Sequence, residues 1–230
     1  MAWGFGLQAA RQPKAADDRE FFPTPPPAGR AGGELIRMLD HRGESCWEPA
    51  CGAGHLAHGL KDYFGQVFCS DLEPRGAFVP CDFLDFEPPA PPRQLVRNWD
   101  WIVTNPPFSR AADFVAAALP RARRGVAMLL PLRFLETDER NRLFARAPPA
   151  VVGVFSDRVP MLKGRYDPSA STAAAVAWFI WMTECALADC PLGGAIRENW
   201  AMGGFHTRLI PYGTMKRLAH PSDARWVGWW

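Results

Sequence analysis

The stretch Trp99-Asp100-Trp101-Ile102-Val103-Thr104-Asn105-Pro106-Pro107-Phe108 constrains this chain more than any other. Its apolar, β-forming part reads as a buried strand that stops at Asn105. Two prolines lack the N–H that a central ladder needs and they fix φ, so the chain must leave the sheet there. The exit carries an amide side chain, a stiff carbonyl-bearing backbone and an aromatic ring at the carboxyl end of a strand. In open α/β sheets, ligands bind at that end.

Upstream, Ser45-Cys46-Trp47-Glu48-Pro49-Ala50-Cys51-Gly52-Ala53-Gly54-His55 reads as a short strand, a Gly-rich turn and a helix from His55 to Phe64. Glycines let such a turn close tightly and approach a ligand lying over the helix start. Taken alone, Gly52-x-Gly54-x-x-Ala57 matches the dinucleotide fingerprint of nicotinamide enzymes. Glu48, however, would repel a pyrophosphate and suits a cation, and the turn holds no Lys or Arg. The ligand expected here is an adenosine bearing positive charge. A second strand over 66–70 ends at Asp71, which follows Gly52 at about the spacing used to take ribose hydroxyls. A third, near 77–80, delivers Asp82 to accept from an adenine amine and Phe83 to pack on the ring.

The rest alternates in the same way. Ser109 is an expected N-cap for a helix reaching Leu119, and continuous apolar character marks a strand at 125–132. A basic helix over 137–146, a strand over 150–155 and a long apolar strand over 173–182 follow, the last two pairing as a hairpin. Such alternation implies a largely parallel sheet with helices on both faces. A short amphipathic helix is expected over 31–41, after a segment of Phe21, Phe22 and prolines that reads as non-helical beyond Pro23. Residues 1–17 are expected to be disordered, 18–183 to form the catalytic domain with a Pro-rich link at 88–92, and 184–230 to be an extension without clear periodicity.

No apolar run approaches the roughly 20 residues needed to span a bilayer. The six cysteines form no Cys-x-x-Cys pair and have no His at zinc spacing. A cytoplasmic protein, monomer or homodimer, with neither metal site nor membrane partner, is the economical expectation.

In order, Glu48-Pro49-Ala50-Cys51-Gly52-Ala53-Gly54, Asp71, Asp82-Phe83 and Asn105-Pro106-Pro107-Phe108 resemble class I S-adenosylmethionine-dependent DNA adenine-N6 methyltransferases. Phe22-Pro23-Thr24-Pro25 is similar to the segment preceding the glycine-rich strand in their small phage- and prophage-type members. The resemblance covers residues 18–182. It implies a Rossmann-like methyltransferase fold: an α/β architecture with a mostly parallel seven-stranded sheet, a terminal antiparallel hairpin and helices on both faces. It implies S-adenosylmethionine held by Phe22, Thr24, Glu48, Ala50, Gly52, Gly54, Asp71, Asp82, Phe83 and Asn105. The catalytic set is Asn105, Pro106, Pro107 and Phe108. The Asn105 side-chain oxygen and the Pro106 carbonyl accept the two N–H bonds of adenine N6, freeing its lone pair for in-line methyl transfer. Pro107 stiffens the turn, and Phe108 stacks on a flipped-out base, with Tyr166 as the second stacking ring.

Double-stranded DNA is the implied partner. Arg133, Arg140, Arg158, Lys163 and Arg165, in the basic stretch 121–165, are the candidate phosphate contacts. Glutamine-N5 protein and guanine-N2 ribosomal RNA methyltransferases also use Asn-Pro-Pro-aromatic and remain alternatives. A nicotinamide oxidoreductase would leave residues 105–108 without a role, and an inactive DNA-binding relic has no visibly broken motif to support it.

Overall fold

The computed structural model describes residues 21–85, 99–170, 172 and 174–227. The expected disordered terminus at 1–17, the link at 88–92 and Trp229 and Trp230 lie outside them. From Phe21 the chain runs extended to Pro25 and then enters helix α1 (Pro26–Leu39). The helix thus begins inside the segment read as non-helical. Pro26 and Pro27 occupy its first positions, where the missing N–H would have had no intrahelical partner anyway.

Strand β1 (Ser45–Glu48), helix α2 (His55–Leu60), β2 (Gln66–Asp71) and the short β3 (Val79–Pro80) follow. Strand β4 (Trp101–Thr104) ends at Asn105 as expected. A 3₁₀ turn (Phe108–Arg110) then leads into α3 (Ala111–Ala118), so Arg110 rather than Ser109 stands at the helix start, with no side-chain cap. Next come β5 (Gly125–Pro131), α4 (Asp138–Arg146) with Thr137 as its cap, β6 (Val151–Phe155) and β7 (Val176–Met182).

The stretch after Met182 adds α5 (Glu184–Asp189), α6 (Gly193–Ala201), β8 (His206–Ile210), α7 (Thr214–Arg217) and a 3₁₀ segment (Pro221–Trp226). The sheet therefore has eight strands rather than seven, in the order β3-β2-β1-β4-β5-β7-β6-β8. Only β7 runs against its neighbours, between β5 and β6; β8 pairs parallel to β6 at the edge.

Alternation along the fully buried β5 divides the core. Ala127 and Leu129 face α1, α2, α5 and α6, while Val126, Met128 and Leu130 face α3 and α4. Close approach of α1 to both neighbours depends on glycine. A Cβ at Gly32 would stand 2.5 Å from the Trp178 indole, whose Nε1 donates to the Ala28 carbonyl at 3.0 Å. A Cβ at Gly59 would stand 2.3 Å from the Pro26 carbonyl oxygen. This contact sets the entry to α1 directly beside α2.

Candidate active site

The turn after β1 is built from backbone that side chains disfavour. Gly52 and Gly54 adopt φ of 52° and 87°, in the left-handed region. The Phe21 and Phe78 rings close over them, each 2.6 Å from where a Cβ would sit. Asp71, ending β2, accepts from the Gly52 N–H at 2.7 Å and the Glu73 N–H at 2.9 Å, so it locks the turn against the neighbouring strand. Burial raises the Asp71 pKa above its ordinary value, against the pull of the Gly52 N–H and Arg75. Glu48 is 1% exposed, and its Oε2 has no hydrogen-bond partner among the described residues. Burial, reinforced by Asp71, pushes Glu48 well above the usual carboxylate range despite the Ala57 N–H.

At the end of β4, Asn105 Nδ2 donates to the Phe22 carbonyl at 3.0 Å. A carbonyl only accepts, so this bond fixes the amide orientation and leaves Oδ1 as an acceptor. That Oδ1 is buried and unpartnered among the described residues.

Phe22, Thr24, Glu48, Ala50, Gly52, Asp71, Asp82, Phe83, Asn105 and Pro107 come together around one cavity of about 390 Å³. That volume lies within the range of small-molecule sites. Asp82 is exposed, its Oδ1 accepting from the Leu84 N–H at 2.9 Å. Phe83 lines the cavity while its ring is held edge-on to Trp47, with centroids 5.1 Å apart. Gly54 and Pro106 support the wall without lining it. Phe108 also lies off the lining, stacked on the Phe22 ring at 5.9 Å and 16°.

Tyr166 is not at the cavity. Its loop folds it inward, 5% exposed, with its ring edge-on to His55 at 6.2 Å, so it offers no face for stacking. The basic candidates stand outside as well. Arg133, Arg158, Lys163 and Arg165 are exposed, Arg158 donating to the Thr172 carbonyl at 2.9 Å. Arg140 lies over the Phe134 ring at 4.7 Å and pairs with Glu139. The Gly164 N–H donates to the Phe21 carbonyl at 2.9 Å, which brings the Lys163-Gly164-Arg165 turn against the cavity rim.

Sequence reasoning passed over Phe21, His55, Arg75 and Arg110, all of which line the cavity. Phe21 had a signal, an aromatic pair ahead of Pro-Thr-Pro; Arg75 covers its ring at 4.4 Å. Among the described residues no helix is long and apolar enough to cross a membrane, and no cluster of three or more His, Cys, Asp or Glu is placed to hold a metal ion.

No family model matches the chain, and no curated protein matches it. Solved structures do. A type I restriction-modification methyltransferase subunit from Streptococcus thermophilus superposes with a TM-score of 0.55 at 15% identity, over 73% of this chain and 46% of that one. The fold is a methyltransferase fold. A candidate RNA methyltransferase from Pyrococcus horikoshii superposes with a TM-score of 0.51 at 15% identity, over 77% of this chain and 93% of that one. This chain therefore spans about half the length of the restriction-modification subunit it resembles.

Proposed function

We propose that this protein transfers a methyl group from S-adenosylmethionine to N6 of an adenine flipped out of double-stranded DNA. The observation that carries the reading is the Asn105 Oδ1, an oriented and unused acceptor beside a cavity whose wall also buries the unpartnered Glu48 Oε2 and His55 Nδ1. A donor-rich, positively charged ligand fits this buried wall, while Arg75 and Arg110 stand at less buried positions of the lining. Glu48 and Asp71 would hold the ribose and offset the cofactor's charge, and Asp82 and Phe83 would receive the adenine. S-adenosylmethionine supplies an electrophilic methyl group on a sulfonium. Asn105 Oδ1 and the Pro106 carbonyl accept the N–H bonds of the target amine, and they stabilise the positive charge that gathers on nitrogen. The type I restriction-modification methyltransferase subunit and the candidate RNA methyltransferase support a nucleic-acid substrate, as analogies of fold.

The test is incubation with labelled S-adenosylmethionine and, separately, unmethylated DNA, ribosomal RNA and protein extract, followed by identification of the product. Label in DNA adenine is expected; label in guanine or glutamine overturns the assignment. Asn105→Ala should lower the transfer rate by about 10²–10³-fold, the range for removing one preorganised group. Calorimetric cofactor affinity should fall far less than the transfer rate.

A further inference from the structure

Besides Glu48 and Asn105, a third buried side chain on the cavity wall keeps an unused acceptor. His55 opens α2, lines the cavity and is 2% exposed. Its Nε2 lies 3.3 Å from the Trp226 carbonyl, which can only accept, so Nε2 carries the proton. Burial pushes the ring's pKa down to about 4, which keeps it neutral at physiological pH. Nδ1 is then a lone-pair acceptor, and it has no partner among the described residues.

The imidazole is held from several sides. The Trp226 ring lies 4.9 Å from it and the Tyr166 ring 6.2 Å. Trp226 closes the 3₁₀ segment Pro221–Trp226, and that segment is anchored where both Asp223 oxygens meet the Arg30 guanidinium at 2.8 and 2.9 Å. A buried lone pair fixed in one tautomer and left unpaired is destabilising unless a ligand donates to it.

We infer that His55 Nδ1 accepts a hydrogen bond from the α-ammonium of the amino-acid end of S-adenosylmethionine. The inference rests on the cofactor reading above. The cofactor's other donors, its ribose hydroxyls and adenine amine, have Asp71 and Asp82 at the ends of β2 and β3. The reacting methyl must face Asn105 at the end of β4. In the order β3-β2-β1-β4 the amino-acid end therefore falls over β1 and its following turn, where His55 stands.

Calorimetric titration with S-adenosylhomocysteine and with 5′-methylthioadenosine, which lacks the amino-acid group, separates the possibilities. His55→Leu should weaken S-adenosylhomocysteine by about tenfold or more while leaving methylthioadenosine within about twofold, as loss of one bond to a charged donor requires. His55→Phe, which preserves ring packing on Trp226, should show the same selective loss and serves if the leucine variant does not fold. Equal losses for both ligands, or none, overturn the assignment. Wild-type protein binding neither ligand overturns the cofactor reading and this assignment together, a result distinct from any pattern confined to the variants.

Discussion

Glu48 is an unfavourable residue for the ligand-free protein and a favourable one for a cationic complex. Its pKa is raised by burial and by Asp71, so the native state holds a proton that the unfolded chain releases at the ordinary Glu value. Stability of the free protein therefore declines as pH rises from that value through the raised one. A cation bound beside Glu48, as proposed above, would lower the pKa again, so cofactor binding would expel a proton and strengthen with pH across the same window. Calorimetry at a series of pH values above the ordinary Glu value, in buffers of different ionisation enthalpy, should show proton release for wild type within that window and none for Glu48→Gln. The variant should melt no lower than wild type when free and bind at least about tenfold more weakly. Glu48, Asp71 and Asn105 were legible in the sequence because each sits where a strand must end, and its chemistry is stated by its own side chain. His55 was not, because its tautomer is set by a carbonyl 171 residues away. Tyr166 misled because nothing local in its loop specifies which way the ring turns.

Among the elements, α1 is fixed at both its faces by contacts distant in sequence. Arg30 is 5% exposed and holds Asp223 through paired hydrogen bonds, Asp62 through Nε and the Leu218 carbonyl at 3.0 Å. Burial works against the charge on Arg30, and the bonds it donates to Asp223 and Asp62 outweigh it. Removing one partner leaves a buried guanidinium short of acceptors, so Asp223→Ala should destabilise the protein by about 3 kcal/mol. Denaturant midpoints check the value. The alternation of strands and helices was readable through β7 because strands buried on both faces, β4, β5 and β7 above all, are continuous apolar runs. β8 was not, since His206, Thr207, Arg208 and Leu209 are partly or fully exposed and only Ile210 reaches the core. An edge strand on a finished sheet needs its neighbour's hydrogen bonds more than an apolar pattern of its own.

For the molecule as a whole, one part of the proposed DNA track, the Lys163-Gly164-Arg165 turn, is tied to Phe21 at the rim of the cavity. If those cations meet phosphates, affinity should fall with salt, and the double variant Lys163→Ala/Arg165→Ala should reduce the slope of log K against log salt by about 2. Filter binding across a salt series measures it, and an unchanged slope removes this turn from the track. The closeness of α1 and α2 has a consequence for genetics. Alanine at Gly59 would favour the helix locally, yet its methyl group collides with backbone at Pro26, which cannot rotate aside as a side chain would. Overpacking of this kind costs about 1–3 kcal/mol. The strain falls where the wall carrying Phe22 and Thr24 meets the wall carrying His55. Gly59→Ala should therefore behave as a temperature-sensitive allele: on the activity proposed above, host DNA would be modified in cool cultures and left unmodified after a shift to warmth.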